Sequence, residues 1–230
     1  MNINYLITGA NRGIGLALAE ELISNDKKVI CLCRESSDSG KLVSLQSKNP
    51  GRVKLYEADV TVENDLIGAS KKIENLDVLV CNAGIMGARG GMMDENNKYS
   101  IISDVLMTNV AGPFFTIRAF LDQIKQSKNP KIIIISSHMG SQKHSGSESY
   151  FYRASKAAIN NIMTTFSNEL RPIEIPIVSV HPGWVRTEMG GNFATLSTQE
   201  SASSLYKFIQ KIDMADSGHF YNYDGNRLEL

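Results

Sequence analysis

Tyr152 and Lys156 stand four residues apart in the stretch Ser-Glu-Ser-Tyr-Phe-Tyr-Arg-Ala-Ser-Lys-Ala-Ala. On a helix that spacing puts them on one face, one turn apart. The chemistry open to such a pair is proton transfer. An unperturbed tyrosine titrates near pH ~10 and gives up its proton reluctantly at neutrality. An ammonium beside it favours the phenolate, because a nearby positive charge stabilises the charged form. A phenol tuned in this way can hand a proton to a forming alkoxide or take one from an alcohol. Tyr and Lys also fall four apart in many helices with no such role, so the rest of the chain must show whether a site surrounds them.

The elements that would position the pair are legible in the hydrophobic pattern. Apolar runs at 4–8, 28–33, 53–57, 76–81, 131–136, 177–181 and about 219–223 read as strands. Between them lie helical patterns at 14–23, near 40–47 and 63–73, about 102–127, 152–170 and 198–211. Continuous apolar strands alternating with helices predict an α/β fold, a parallel sheet covered on both faces. Right-handed crossovers make such a sheet doubly wound, of the Rossmann type. One domain over 1–230 is expected, with a Gly-rich cofactor half over about 1–100 and a catalytic half over about 101–230.

In that architecture ligands bind outside the carboxyl ends of the strands, and the unusual residues fall there. After the first strand come Gly9, Ala10, Asn11, Arg12, Gly13, Ile14 and Gly15. Glycines permit a tight turn and close backbone approach, and the helix that follows offers free amides to a pyrophosphate. A plain strand-to-helix turn is the alternative.

The second strand ends in Cys33 and Arg34, where NAD-binding folds commonly carry an acid for the ribose hydroxyls. With Arg12, Arg34 suggests two cations around a 2′-phosphate, hence NADPH rather than NADH. Glu35 stands against this and is expected to face solvent. Asp59 and Val60 after the third strand suit an adenine amino group, or else a simple turn. Asn82, Ala83 and Gly84 are small enough to let a cofactor lie against the backbone, or else make a structural turn. Asn109 sits mid-helix, where Asn is disfavoured, and is expected to bond to something in the site or to be a satisfied core amide. Ser136 and Ser137 end the fifth strand and face the crevice of Tyr152. Pro182, Gly183, Trp184, Val185, Arg186 and Thr187 make a rigid turn followed by a hydroxyl able to bond an amide. His181 reads as a packed strand-end histidine. His138, His144 and His219 look too scattered to hold a metal, and none is expected.

Composition excludes several classes. Lys and Arg number 24 against 24 Asp and Glu, with no block of like charge, so nothing draws the chain to nucleic acid or anionic lipid. No apolar run approaches the ~20 residues of a membrane span, and the N-terminus lacks a signal-peptide layout. Cys31, Cys33 and Cys81 sit in strand-like runs and read as reduced core thiols of a cytoplasmic protein.

With these residues in view the chain resembles the short-chain dehydrogenase/reductase family from end to end. The glycine turn, Asn-Ala-Gly, Ser-Ser, Tyr-x-x-x-Lys and Pro-Gly occur in the family's order. Thr-Gly-Ala-Asn-Arg-Gly-Ile-Gly, Tyr-Arg-Ala-Ser-Lys-Ala-Ala, His-Pro-Gly-Trp-Val-Arg-Thr-Glu-Met-Gly-Gly and the closing Tyr-Asp-Gly are similar to its C-factor and sniffer-like carbonyl reductases.

The resemblance implies a sheet of about seven strands and a catalytic tetrad of Asn109, Ser137, Tyr152 and Lys156. Ser137 would hold the substrate carbonyl and Tyr152 would supply the proton. Lys156 would bind the nicotinamide ribose and lower the Tyr152 pKa. Asn109 would hold a water and Thr187 the carboxamide. It implies an NADPH-dependent reductase of a small carbonyl or alcohol substrate, assembled as a homodimer or homotetramer through the helices at 102–127 and 152–170. The alternative is a nucleotide-binding regulatory protein of the same fold with little turnover. Cys81 stands where family members usually carry a first Asn, and the polar loop at 142–149 lengthens the Ser137–Tyr152 interval.

Overall fold

The computed structural model describes residues 3–34 and 39–230; Glu35 lies outside them. One eight-stranded sheet runs through the molecule in the order β3-β2-β1-β4-β5-β6-β7-β8. The strands are β1 (Asn4–Thr8), β2 (Lys28–Cys33), β3 (Val53–Glu57), β4 (Val78–Cys81), β5 (Lys131–Ile135), β6 (Ile177–His181), β7 (Phe220–Asn222) and β8 (Arg227–Leu228). All neighbours are parallel except β7 and β8. The order reverses between β1 and β4, which is the switch point of a doubly wound sheet.

The helices are α1 (Gly13–Ser24), α2 (Gly40–Lys48), α3 (Glu63–Ser70), α4 (Tyr99–Leu106), α5 (Gly112–Lys125), α6 (Tyr150–Leu170) and α7 (Thr198–Lys211). Strand residues alternate between two apolar layers, as a period of two requires. Tyr5, Ile7, Ile133 and Ile135 pack with α1 and α7 residues such as Leu18, Leu22, Leu205 and Ile209. Leu6, Ile132 and Ile134 pack on the other face with Leu66 of α3, Phe120 of α5 and Met163 of α6. Burial on both faces explains why these strands read as unbroken apolar runs.

Four details differ from the sequence expectation. β8 is an eighth strand: a turn with Gly225 at φ 89° folds the chain back, and Asn222 N–H donates to the Asn226 carbonyl. Two residues carry too little periodicity to be read beforehand. β4 begins at Val78, because Asp77 serves as a crossing point: its carboxylate accepts from Asn4 N–H at 2.8 Å.

The helix expected at 102–127 starts at Tyr99 and passes through a π turn, Met107–Ala111. Pro113 has no N–H to offer the Asn109 carbonyl, its partner in regular α geometry, and the chain widens by one residue there. That continuous helix, Tyr99–Lys125, is also long and apolar enough to cross a membrane by length and composition alone. This corrects the expectation of no such stretch. Here it lies along the sheet, with Ile117, Phe120 and Ile124 in the core.

Candidate active site

Because seven neighbouring strands are parallel, their carboxyl ends share one edge, and the residues singled out in the sequence gather along it. At β1 the turn is held tightly. A Cβ on Gly9 (φ 64°) would come within 2.9 Å of the Ala83 Cα, and one on Gly15 within 2.5 Å of the Gly9 carbonyl oxygen. Asn82 locks the turn to β4: its Nδ2 donates to the Thr8 and Gly9 carbonyls at 2.9 and 3.1 Å. The N-terminus of α1 has no side-chain cap on its amides, so they remain available to an acceptor. Ile14 packs partly buried against the core beneath the turn.

The proton-transfer pair lies on α6. Tyr152, Lys156, Ser137 and Asn109 are all buried, at 7, 5, 6 and 1 % exposure. Lys156 Nζ donates to the Ile135 carbonyl at 2.9 Å and lies 5.7 Å from the Tyr152 ring centre. α6 can sit this close to the end of β5 because Gly140 has no side chain; a Cβ there would meet the Lys156 backbone carbon at 2.6 Å. Ser137 is the serine beside the phenol: its hydroxyl pulls the Tyr152 pKa down. Ser136 Oγ is instead buried with no partner.

Electrostatics corrects one expectation. Tyr152 is not lowered overall: burial pushes its phenol up, against smaller downward pulls from Ser137 and the Arg89 charge. Lys156 is itself desolvated, and burial brings its ammonium down to about 8.

Asn109, in the π turn, is fully engaged through its carboxamide. Oδ1 accepts from Ile85 N–H at 2.8 Å, and Nδ2 donates to the Ile85 carbonyl at 2.8 Å and to Ser155 Oγ at 3.0 Å. Any water held by Asn109 must therefore use its main-chain carbonyl, which Pro113 leaves without its α-helical donor. Gly84 lies between these groups, its Cβ direction aimed at Asn109 Oδ1 and Lys156 Nζ.

The residues expected around the nucleotide divide. Asp59 Oδ1 accepts from Thr61 N–H and Oγ1 at 2.8 and 2.7 Å, the turn alternative, while its Oδ2 lies 3.9 Å from Arg34 Nη1. Val60 is buried and packs against Gly112. Arg12 is ion-paired to Glu188, so the two arginines face different carboxylates. Beyond β6, Gly183 takes φ 87°, and a Cβ there would collide with Leu196 Cδ1 and meet the Tyr223 ring at 3.0 Å, so the chain turns after Pro182 where no side chain fits. Val185 bridges to Leu196, and Arg186 Nη1 donates to the Ala194 carbonyl at 2.9 Å. Thr187 Oγ1 accepts from Gly190 N–H at 3.0 Å, and its methyl lies against Gly13. The segment 188–203, rich in small polar residues, is thus stapled at several points.

Three features went unseen in the sequence. Arg89 Nη2 donates to the Met189 carbonyl at 2.9 Å. Ser155 backs Asn109 and donates to the Tyr152 carbonyl at 2.7 Å. His138, His144 and His181 meet: His138 Nδ1 is 2.9 Å from His181 Nε2, and the His138 and His144 rings lie 4.8 Å apart. Burial lowers His138 and brings His181 down to about 3. Among the described residues no group of His, Cys, Asp and Glu is arranged to hold a metal. Cys31, Cys33 and Cys81 are free and buried.

The profile of the short chain dehydrogenase family matches residues 4–197. The carbonyl reductase Sniffer of Drosophila melanogaster superposes with a TM-score of 0.94 at 30 % identity, over 100 % of both chains. NADPH-bound carbonyl reductase from chicken fatty liver does so with 0.91 at 30 % identity, again over 100 % of both. The C-signal protein of Myxococcus xanthus is 33 % identical over 66 % of this chain and 92 % of its own length. The chain belongs to the short chain dehydrogenase family of oxidoreductases and is of the carbonyl reductase, sniffer-like type.

Proposed function

We propose that the protein is an NADPH-dependent reductase of carbonyl groups. The observation that carries this reading is the convergence of Ser137 and Lys156 on the buried face of Tyr152. A bound NADPH would supply hydride to the carbonyl carbon. Ser137 would donate to the carbonyl oxygen, and Tyr152 would pass its phenolic proton to that oxygen as negative charge builds on it. A phenol held up by burial stays protonated at neutral pH, which favours reduction over alcohol oxidation. Lys156, its pKa brought down to about 8 and so still mostly charged at neutrality, would hold ribose hydroxyls. The Asn109 carbonyl would hold a water linking Lys156 to solvent.

The chain's own geometry fits the cofactor. Gly9 and Gly15 let the turn pack closely without a side chain, and the uncapped α1 amides would meet the pyrophosphate. Arg12 and Arg34 would meet the 2′-phosphate. Asp59 and Val60 would flank the adenine, Asn82, Ala83 and Gly84 would border the ribose, and Pro182, Gly183, Val185 and Thr187 would frame the carboxamide. NADH would be the poorer cofactor. Three buried thiols suit a reducing setting such as the cytoplasm.

The test is NADPH oxidation over a panel of aldehydes, ketones and quinones. Turnover of at least one class supports the reading. NADPH binding with no turnover of any would favour the regulatory nucleotide-binding alternative.

A further inference from the structure

Arg89 acts on Tyr152 so far only through its charge, yet its side chain lies at the mouth of the same crevice. Its backbone is fastened to the start of α6. Ser149 N–H donates to the Gly90 carbonyl at 3.1 Å, and Ser149 Oγ donates to the Arg89 carbonyl at 3.3 Å. Ser149 is buried at 5 % exposure and held at φ 54°, a left-handed conformation that a serine adopts only when its surroundings impose it. Tyr152 follows three residues later. The side chain of Arg89 then reaches the Met189 carbonyl, 2.9 Å away, two residues beyond Thr187. The guanidinium therefore spans from the Tyr152 helix to the Thr187 segment. Its charge is felt at the phenol.

What the guanidinium contacts is a neutral carbonyl. Among the described residues no carboxylate lies within ion-pair distance of it, whereas Arg12, Arg34, Arg52, Arg118 and Arg186 each have one. The nearby acids are engaged elsewhere. Asp94 accepts from Gly90 N–H at 2.7 Å and Asn96 N–H at 2.9 Å, and Glu188 holds Arg12. A guanidinium carries five N–H donors in a planar fork suited to a carboxylate, and one bond to Met189 leaves most of them free.

We propose that Arg89 is a specificity-determining residue that docks a carboxylate borne by the substrate, so that preferred substrates are carbonyl compounds carrying an acid group away from the reacting carbonyl. The inference rests on the carbonyl reductase reading. It differs from a mere latch, in which the Arg89–Met189 bond only holds the 188–203 segment in place.

The experiment compares 4-carboxybenzaldehyde with methyl 4-formylbenzoate, which share a reacting group and differ in charge. For the wild-type protein kcat/KM should favour the carboxylate by about tenfold or more, the size expected of one charge-assisted contact, with the difference in KM. Added salt should shrink it. Arg89→Met should bring the ratio close to one, and Arg89→Lys should keep part of it. Removing the Arg89 charge also alters Tyr152, so absolute rates change for both compounds and the ratio isolates recognition. Equal use of both compounds by the wild type, or the same ratio in Arg89→Met, overturns the proposal while leaving the reductase reading intact; the latter is the result for a latch.

If neither compound is turned over, the carbonyl panel decides the reductase reading and binding decides the fate of Arg89. Trp184 is the single tryptophan, is 50 % exposed, and donates through Nε1 to the Gly190 carbonyl at 2.8 Å, so its fluorescence reports occupancy near Met189. Weaker titration by 4-carboxybenzaldehyde in Arg89→Met than in wild type upholds the carboxylate site. Identical titration overturns it.

Discussion

Arg12, in the turn after β1, is ion-paired to Glu188, the residue that follows Thr187. The glycine turn and the segment that closes on the crevice are thereby joined by opposite charges. Both side chains are largely exposed, at 56 and 79 %, and exposed pairs contribute only ~0–1 kcal/mol. A 2′-phosphate can therefore displace the carboxylate at little expense. Arg34, itself exposed at 69 %, lies 3.9 Å from Asp59, which is exposed at only 27 %. NADPH should bind at least about tenfold more tightly than NADH, since ~1.4 kcal/mol is a decade and each charge-assisted contact gives ~1.5–3 kcal/mol. Arg34→Ala should weaken NADPH far more than NADH, and Glu188→Gln should tighten NADPH a few-fold by freeing Arg12. Calorimetric titration with both cofactors checks all three; equal wild-type affinities would remove Arg12 and Arg34 from the 2′-phosphate site.

The buried ammonium of Lys156 predicts a pH limb. Its folded pKa is lowered to about 8 by desolvation, so the charged form is lost as pH rises through that value. kcat/KM for carbonyl reduction, which reports the free enzyme, should fall by one decade per pH unit above about 8. Stability moves the other way. Between about 8 and the ordinary lysine value of ~10.4, the unfolded chain holds a proton that the folded chain lacks, so stability contributed by this group rises with pH. A rate profile that stays flat well beyond pH 9 would show that Lys156 need not be charged.

Gly140 tests how closely β5 and α6 must approach. A methyl there would meet Lys156 C and Ala157 N at 2.6 and 2.8 Å, backbone atoms that cannot rotate aside. Gly140→Ala should lower stability by about 1–3 kcal/mol and depress kcat through displacement of Ser137 from Tyr152. Denaturant melts and steady-state rates check it; a wild-type midpoint and rate would mean that the two elements tolerate separation.

Much of the fold was legible because its strands are buried on both faces. β1, β2, β3 and β6 match their apolar runs residue for residue, and α7 is bounded by its Ser197–Glu200 capping box. What escaped was either too short to show a period, as in Arg227–Leu228, or set by an absent donor, as at Pro113 beyond Asn109. Within the site, Tyr152 and Lys156 are separated by one helical turn and were visible locally. Arg89 with Met189, Arg12 with Glu188 and His138 with His181 are 100, 176 and 43 residues apart, and no local pattern announces such pairs. The direction of the Tyr152 shift was missed for a different reason: spacing reveals a neighbouring charge but not the burial that opposes it.

Assembly is predicted from the outer faces of α4 and α6. Tyr99, Leu106, Met107, Tyr150 and Phe151 are exposed there at 95, 37, 41, 49 and 36 %, and a groove between them is lined by Tyr99, Ile102, Tyr150 and Phe151. Exposed apolar surface of this kind marks an interaction site, and a closed homodimer or homotetramer would cover it. Light scattering at micromolar concentration should give a multiple of the 25.3 kDa chain, and Tyr99→Glu should shift it toward monomer. A wild-type monomer would contradict the assignment.

The most direct test of the account is Tyr152→Phe. The ring and its packing are kept, and only the phenolic proton is lost. NADPH should still bind with near wild-type affinity, while the rate of carbonyl reduction should drop by at least the ~10²–10⁴-fold credited to a general acid. Turnover close to wild type in that variant would contradict the central claim that Tyr152 supplies the proton.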